Sequence, residues 1–385
     1  MTVYLDNSAT TQPFEQVIQA VAHSMQEGYY NPSALYRPAV EVERSLKAAR
    51  EVIAATVGAQ QQQVLFTSGG TEADNLAVLG HLMLARQAGD VLYTAAEHPA
   101  VKAACRQAAR YGHQPREIPL TESGRLDLSA LEAMLGERTR LICVMQVCNE
   151  TGVIMPLKAV VALRDRLAPQ AAIHVDGVQG YLRIPFSMRQ LGVQSYAISA
   201  HKIHGPKGVG ALVLGQGHRL QPIQVGGGQQ GDLRSGTENT AGIAGFAAAV
   251  TAYPSQAYTS EHLASLKQAA YAALSEGIPS MRVLGAMPGE EDSAPHILYA
   301  SFPPVRAETM VHALAEHGVM VGTGSACSSR KSKRSEVLTA MRVPPAIIDS
   351  SIRLSFSVTN TAEEISAAMT EFVQQYQLLA RFTRR

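Results

Sequence analysis

The residues with the plainest chemistry lie at positions 196–210, which read YAISAHKIHGPKGVG. The first part is apolar and predicts a strand that delivers Ser199, His201 and Lys202 into a loop rich in glycine and proline. A lysine in a partly desolvated pocket has a lowered pKa and can form a Schiff base with a carbonyl compound. His201 and His204 resemble a metal pair, but no further ligands stand at useful spacing, so no metal site is predicted.

A second candidate is the acidic residue that ends the apolar run AAIHVDGVQ at positions 171–179. Asp176 closes the predicted strand, and Gln179 follows three residues later. A carboxylate there must be paired, because burial of an unpaired charge is costly. A protonated pyridine nitrogen is a suitable partner, and a salt bridge or a helix cap is the alternative.

The run TSGGTEAD at positions 67–74 joins a predicted strand to a predicted helix. Thr71 and Asp74 fit a capping box, with Thr71 as the first helical cap. Glycines beside free backbone amides at a helix start can hold a phosphate group. An ordinary capped helix is the alternative.

A third reactive group is Cys327, in the segment GTGSACSS at positions 322–329. Glycine and serine predict an exposed, mobile loop, and the basic run Arg330–Arg334 follows it. Nearby cations favour the thiolate, which is the reactive form of cysteine. The other cysteines, Cys105, Cys143 and Cys148, are expected to be free thiols, and the last two to be buried in a strand.

The elements that must position these residues alternate along the middle of the chain. The predicted strands are Val64–Thr67, Val91–Thr94, Arg140–Val147, Ala172–Val175, Tyr196–Ser199 and Gly210–Leu214. Predicted helices follow the first strand as far as Ala85 and cover His98–Tyr111 and Leu157–Leu167. Strands apolar on both faces predict a mainly parallel sheet between helices, and ligands of such sheets bind at the carboxyl ends of the strands.

A second set of elements follows a polar break at Tyr253–Ser260. It comprises helix His262–Ser275, strand His296–Phe302, helix Ala307–His317, strand Ile352–Ser357 and a final helix from Ala362. These elements predict a smaller α+β domain. We assign residues 14–257 to a large cofactor-binding domain, and residues 1–13 with 258–385 to a small domain that carries Cys327.

Composition excludes several classes of protein. The 385 residues include 33 Lys and Arg against 32 Asp and Glu, so nothing indicates binding to nucleic acid or to a membrane surface. No apolar run approaches the length of a membrane helix, and the start MTVYLDNSATT lacks the pattern of a signal peptide. A cytoplasmic location is therefore expected. Nucleotide-binding signatures are also absent from the sequence.

Taken in order, the phosphate loop, Asp176 with Gln179, and the Ser-x-His-Lys run resemble the fold-type I pyridoxal-phosphate enzymes of the class V aminotransferase group. Further motifs narrow the resemblance to the NifS/IscS-like cysteine desulfurases, and they are LDNSATT (5–11), Glu97-His98, RSGTEN (234–239) and GSAC (324–327). The resemblance covers nearly the whole chain. It implies an α/β fold with a mixed, mainly parallel seven-stranded sheet.

The resemblance also implies roles for individual residues. Lys202 would hold pyridoxal 5′-phosphate as a Schiff base, Asp176 would pair with its pyridine nitrogen, and Gln179 would bond its phenolic oxygen. His98 would stack on the ring and transfer protons. Five further residues would complete the cofactor site, with Thr71, Ser199 and His201 at the phosphate and Gly70 and Asn149 beside them. Thr237 would reach the phosphate from the partner subunit of a homodimer.

The substrate implied by the resemblance is L-cysteine, with Asn149 and Arg353 at its carboxylate. Cys327 would take the sulfur as a persulfide, alanine would leave, and the sulfur would pass to an acceptor protein. Iron–sulfur assembly, tRNA thiolation and other cofactor biosynthesis remain possible destinations. The basic run is interpreted as a solvated face, with docking of an acidic acceptor as the alternative.

The sequence departs from the family pattern at several positions. Tyr30 and Tyr36 replace a glycine and a histidine, and His204 replaces a tyrosine. Gly177 stands where alanine is common, and the segment 226–232 lacks a glutamate and an arginine, with Gly231 in the altered stretch. The alternatives to a desulfurase are a selenocysteine lyase or another class V lyase or transaminase, and a non-catalytic cofactor-binding assembly partner. A metal-dependent hydrolase would require clustered ligands that the sequence lacks.

Overall fold

The computed structural model describes residues 2–324 and 334–383. The strands are β1 (Val3–Tyr4), β2 (Val64–Thr67), β3 (Asp90–Thr94), β4 (Gln114–Ile118), β5 (Thr139–Cys143), β6 (Ala172–Asp176), β7 (Ser195–Ser199), β8 (Gly210–Leu214), β9 (Arg282–Val283), β10 (Ile297–Ser301), β11 (Val319–Met320) and β12 (Ser351–Ser355). The α-helices are α1 (Glu15–Glu27), α2 (Arg37–Thr56), α3 (Gly70–Leu82), α4 (Pro99–Gln107), α5 (Leu128–Met134), α6 (Leu157–Leu167), α7 (Met188–Leu191), α8 (Thr240–Ala252), α9 (Gln256–Gly277), α10 (Ala307–Glu316), α11 (Glu336–Ala340), α12 (Pro345–Ile348) and α13 (Ala362–Thr383). Short 3₁₀ turns cover Gln61–Gln63, Ala108–Tyr111 and Ala200–Lys202.

Among the described residues, the largest sheet has seven strands in the order β2-β8-β7-β6-β5-β3-β4. The strands from β7 to β4 pair in parallel, and β8 is antiparallel to both β7 and β2. Strands β2, β3, β5, β6 and β7 therefore point the same way, and their carboxyl ends share one edge of the sheet. The predicted α/β fold with a mixed, mainly parallel seven-stranded sheet is confirmed.

Strand β4 was not predicted from the sequence. Its residues, QPREI, are largely polar and exposed, because β4 is an edge strand that pairs with β3 alone. The predicted strand Arg140–Val147 was too long, since β5 ends at Cys143. Cys148 is buried as expected but lies beyond that strand.

The predicted break at Tyr253–Ser260 was mostly wrong. Helix α9 begins at Gln256, directly after Pro254 and the cap residue Ser255, so most of that segment is helical. Its first turns are exposed to solvent, which explains why they lack the apolar periodicity that marks a helix in a sequence. Helices α1 and α2, which the sequence analysis did not predict, pack on α8.

Two hydrophobic cores account for most of the burial. The main core lies against the seven-stranded sheet, and a separate core joins Val3 and Leu5 to residues of α9, β10, α10, β12 and α13. This second core supports the division at residues 14–257, which stays a prediction. Within 2–324 and 334–383, no helix combines the length and apolar character needed to cross a bilayer.

Candidate active site

The carboxyl edge of the sheet opens into a cavity of about 570 Å³. Most of the residues selected from the sequence line it, namely Gly70, Thr71, His98, Asn149, Asp176, Gln179, Ser199, His201, Lys202 and Arg353. All but one of them lie at or just after the end of a strand whose terminus is at this edge, which brings them together. Arg353 is the exception, because it belongs to β12. Thr237 is exposed and does not line the cavity, and Cys327 lies outside the described residues.

Lys202 ends the 3₁₀ turn that follows β7. Its Nζ donates hydrogen bonds to the carbonyl oxygens of Ser8, at 2.6 Å, and Ala9, at 2.8 Å. Gln179 Nε2 also donates to the Ser8 carbonyl, at 2.9 Å. The N-terminal segment thus supplies acceptors to the reactive amine, a role that the motif at residues 5–11 does not reveal by itself.

Arg183 was also missed, and it supports two cavity segments from behind. It is 2% exposed, and its guanidinium donates to the carbonyl oxygens of Gln179, at 3.2 Å, and of Lys202. A buried arginine bonded to backbone carbonyls holds their loops at a fixed separation. A basic residue seven positions after a strand-ending aspartate gave no signal by itself.

Asp176 and His98 both line the cavity, and each influences the pKa of the other. Burial raises the pKa of the Asp176 carboxyl, and the nearby His98 and Lys202 partly oppose this shift. Burial also lowers the pKa of His98, with the Asp176 charge opposing. One Asp176 oxygen accepts the Val178 amide at 2.9 Å. His98 Nδ1 accepts the Ala100 amide at 3.2 Å, so the proton of the neutral imidazole belongs on Nε2.

The capping box predicted for Thr71 and Asp74 was wrong. Helix α3 begins at Gly70. Its cap residue is Gly69, which has φ of 153° and no side chain that could cap the helix. Asp74 is instead buried in the helix, where one carboxylate oxygen lies 3.1 Å from His174 Nε2. The sequence pattern was misleading because Asp74 is buried in the folded protein and its carboxyl group contacts His174 instead of the helix start.

The start of α3 nevertheless suits an anion. The first amides of a helix have no acceptor within the helix, and here no side chain caps them. Glycine at position 70 avoids a clash, because a Cβ there would lie 2.7 Å from Val178 Cγ2. His201, whose pKa burial lowers to about 4, is neutral at neutral pH and can donate one N–H to a phosphate oxygen.

Arg353 is 2% exposed and deeply held. Its Nη1 donates to the carbonyl oxygens of Asn149, at 2.8 Å, and Gly324, at 3.2 Å, and its Nη2 donates to Asp6 Oδ1 at 2.6 Å. Nε is buried and has no partner within the described part of the chain. The guanidinium is therefore oriented by the protein, and its Nε–H remains available as a donor for a ligand.

Unpartnered atoms show that the cavity fits a polar aromatic cofactor. Ser8 Oγ, Gln179 Oε1 and Arg353 Nε all belong to cavity-lining residues and have no hydrogen-bond partner among residues 2–324 and 334–383. Buried polar atoms normally have partners. Pyridoxal phosphate would supply them, with its phosphate at the start of α3 and its pyridinium nitrogen at Asp176.

Comparison with known proteins agrees with this geometry. The family model "Aminotransferase class-V" matches residues 3–368. The chain belongs to the class V aminotransferase family. Members of this family that resemble the chain are pyridoxal-phosphate enzymes, and pyridoxal phosphate is the cofactor of this chain.

Similar curated proteins place the chain among the cysteine desulfurases of this family. A cysteine desulfurase of Nostoc sp. is 33% identical over 99% of this chain and 95% of its own length. A cysteine desulfurase of Cereibacter sphaeroides is 35% identical over 99% of this chain and 98% of its own length. A solved NifS-like protein is 30% identical, with a TM-score of 0.91 over 98% of this chain and 100% of the solved chain.

The structure explains two of the departures from the family pattern. A Cβ at Gly177 would lie 2.0 Å from the ring of Tyr196, whose hydroxyl donates to Gln146 Oε1 at 2.7 Å. His204 is buried, and its ring nitrogens lie 2.7 Å from the Gln12 carbonyl oxygen and 2.7 Å from Ser357 Oγ. His204 therefore joins the N-terminal segment to the chain after β12.

Two aromatic departures share one exposed loop. Tyr30 stacks on Tyr29 at 4.3 Å between ring centroids and meets Tyr36 edge to face at 6.0 Å.

Gly231 adopts φ of 64°, which glycine tolerates without strain. Residues 330–333 of the basic run lie outside the described residues, and Arg334 pairs with Asp349 at 3.2 Å.

Proposed function

We propose that this chain converts L-cysteine to L-alanine and carries the released sulfur as a persulfide on Cys327 for transfer to an acceptor protein. The observation that carries the proposal is the meeting of Lys202, Asp176 and His98 in one cavity that ends in the oriented Arg353. The named relatives, which align over almost their whole length, support the same activity.

The bound cofactor supplies an electron sink for the negative charge that develops on the substrate α-carbon. Lys202 Nζ is placed to take the α-proton, because the Ser8 and Ala9 carbonyls accept hydrogen bonds from the resulting ammonium group. Asp176 would pair with the ring nitrogen of the bound cofactor and keep it protonated. His98 Nε2 holds a second proton within the cavity.

Substrate orientation falls to Arg353 and Asn149. The unpartnered Nε of Arg353 belongs to a guanidinium that Asp6 and two carbonyls hold in place. Such an oriented donor binds a carboxylate without the entropy loss of a free side chain. Asn149 shares this wall, because its own carbonyl accepts from Arg353.

The sulfur step follows from the chemistry of a thiolate. The Cys327 thiolate attacks the substrate sulfur, a sulfur–sulfur bond forms, and the carbon–sulfur bond breaks with its electron pair on carbon. Protonation of that carbon gives alanine, and the persulfide sulfur can pass to an acceptor thiolate. The proposal rests on the sequence motif at 322–329 for this residue.

The test is an assay of alanine and sulfide from L-cysteine and a reductant, with Lys202→Ala and Cys327→Ala beside the parent enzyme. We expect Lys202→Ala to lose both products, and Cys327→Ala to lose alanine and sulfide while it keeps the cofactor absorbance. Normal alanine formation by Cys327→Ala would contradict the assignment of the nucleophile. A parent protein with cofactor but no turnover would favour the non-catalytic alternative.

We also propose a homodimer in which Thr237 completes the phosphate site of the partner subunit. Thr237 is exposed and outside its own cavity, as this arrangement requires. Light scattering should give twice the chain mass. Mixed dimers of Lys202→Ala with Thr237→Ala should regain one fully assembled site, because each variant supplies what the other lacks. Absence of any regained activity would count against the shared site.

A further inference from the structure

A second cavity, of about 820 Å³, is lined in part by Arg183, the residue that donates to the Gln179 and Lys202 carbonyls. Its walls come from residues 154–159, residues 183–185 with Leu191, helix α9, and residues 288–291 with Ser293 and Pro295. We call it the α9 cavity. Its volume is in the range of small-molecule sites, and none of the roles described above uses it.

The α9 cavity is lined by two buried cationic side chains. Arg183 is 2% exposed and Lys267, on α9, is 3% exposed. Lys267 Nζ donates to Ser293 Oγ at 2.6 Å and to the Ala294 carbonyl at 2.9 Å. These neutral acceptors leave the charge of an ammonium group uncompensated, which is costly in a buried place.

Two of the acidic groups nearby, Asp292 and Glu290, are already engaged by Arg125. Asp292 Oδ1 accepts from Arg125 Nη2 at 2.9 Å, and Glu290 lies 2.9 Å from the same group. At the rim, Glu291 and Lys158 are exposed. Among the described residues, Lys267 therefore has no carboxylate within ion-pair distance.

The buried His296 responds to the positive charge of this region. His296 is buried, and neither ring nitrogen has a hydrogen-bond partner in the described part of the chain. Burial, together with the charges of Arg183, Lys267 and Arg353, holds its pKa well below the usual range, so the ring is neutral. Burial lowers the pKa of Lys267 to about 7, with Asp292 opposing.

Apolar side chains such as Ile154, Leu157 and Ile184 line other parts of the cavity, and polar side chains that include Gln146, Ser260, Glu290 and Glu291 complete it. We propose that the α9 cavity binds an organic anion, a molecule with one acidic group beside an apolar body, and that Lys267 and Arg183 hold the acidic group. The acidic group of such a ligand supplies the missing counter-charge, and its apolar body covers the apolar side chains of the cavity. Arg183 also donates to the carbonyl oxygens of Gln179 and Lys202. The bound anion would therefore contact the same arginine that holds the backbone of the cofactor lysine.

The probe is 8-anilinonaphthalene-1-sulfonate, titrated into the holoenzyme by calorimetry between pH 6 and 8.5. Its sulfonate keeps its charge over this range, so any pH dependence comes from the protein. We expect saturable binding at one site per chain, with proton uptake and an affinity that falls roughly tenfold as Lys267 loses its proton. The binding of a charged ligand favours the protonated lysine.

Lys267→Met should weaken binding at least tenfold at pH 6 and remove the pH dependence. Lys158→Met is the matched control, because Lys158 lines the same cavity but is exposed, and its affinity should match the parent enzyme. Equal affinity in Lys267→Met, or no saturable binding, would overturn the proposal. If Lys267→Met does not fold, a crystal structure of the parent holoenzyme with the probe decides, since a sulfonate away from Lys267 and Arg183 would equally overturn it.

Discussion

At the scale of single residues, packing below the cavity is tight enough to select glycine beside the strand-ending carboxylate. Gly177 directly follows Asp176, and the Tyr196 ring fills the space that a Cβ would occupy. Tyr196 in turn stacks on Phe186 at 3.8 Å between ring centroids. The ring cannot retreat without disturbing this stack.

Gly177→Ala should therefore lower the free energy of unfolding by about 1–3 kcal/mol, the usual cost of overpacking a core. Chemical denaturation of the holoenzyme measures the change. Gly136→Ala is the control, because a Cβ at position 136 would meet no atom within 4 Å. A Gly177→Ala protein as stable as the control would show that the ring can move at little cost.

A second residue-scale feature is the buried carboxyl of Glu97. Its Oε1 accepts from Thr94 Oγ1 and from the Met145 amide, both at 2.7 Å, while Oε2 has no partner among the described residues. Burial raises the pKa of Glu97 to about 8, with the Asp176 charge adding to the shift and the two hydrogen bonds opposing it. The group is therefore protonated at neutral pH.

This shift makes stability depend on pH in a defined direction. The folded-state pKa exceeds that of the unfolded chain, so the contribution is complete below about 4.5 and is lost as the pH rises through about 8. Glu97→Gln keeps the Oε1 acceptor and cannot ionise. We expect unfolding experiments at pH 6 and 8.5 to show a smaller loss of stability for Glu97→Gln than for the parent.

The control for this experiment is Glu122→Gln, at an exposed position. Its stability should follow the parent protein at both pH values. If Glu97→Gln kept the full pH dependence of the parent, the loss of stability would have to come from other buried groups, and the protonated state of Glu97 would be wrong.

At the scale of elements, helix α11 is fastened to the wall of the active site at its first turn. Ser335 Oγ caps α11 by accepting the Leu338 amide at 3.0 Å, and it donates to the buried Glu150 Oε2 at 2.5 Å. Lys102, on the helix that His98 caps, pairs with Glu336 at 3.1 Å. These contacts fix the point where the chain returns from the segment that contains Cys327.

Ser335→Ala should cost about 2–4 kcal/mol, because it removes a helix cap and leaves a buried carboxyl without its donor. Ser187→Ala provides the comparison, since Ser187 caps the short helix α7 at 3.4 Å and has no buried carboxyl partner. It should cost less than about 1 kcal/mol. Thermal or denaturant unfolding of both variants measures the difference, and equal costs would mean that the Glu150 contact contributes little.

At the scale of the whole molecule, the three cysteines of the described residues are all placed in the core. Cys105, Cys143 and Cys148 are fully buried, and burial raises the pKa of the thiols of Cys143 and Cys148. The sulfur atoms of Cys105 and Cys143 lie 3.7 Å apart, which is a packing contact between free thiols. Buried thiols of this kind react slowly.

We therefore expect a thiol reagent to label the native enzyme quickly at Cys327 alone and at all four cysteines after unfolding. Cys327→Ser should remove the fast phase without changing the slow one. Quantitative labelling with mass spectrometry identifies the sites. Fast labelling of Cys105 or Cys143 would show that the core between α4 and β5 opens readily.

The sequence alone determined the order of the main elements and most residues of the cavity. Strand ends are local signals, because an apolar run followed by Asp176 or by Ser199 and Lys202 needs no knowledge of the fold. Topology rules then predict that such ends meet at one edge of a parallel sheet. The edge strand β4 was not predicted because its exposed, polar residues lack the apolar pattern of a buried strand.

Only the tertiary structure decided which polar groups are partners. It paired Asp74 with His174 rather than with the start of α3, brought the Ser8 and Ala9 carbonyls to Lys202, and put Arg183 behind both cavity segments. These contacts join residues up to nearly two hundred positions apart. No local pattern encodes them, because each depends on where the folded chain buries a charge and which distant acceptor it then finds.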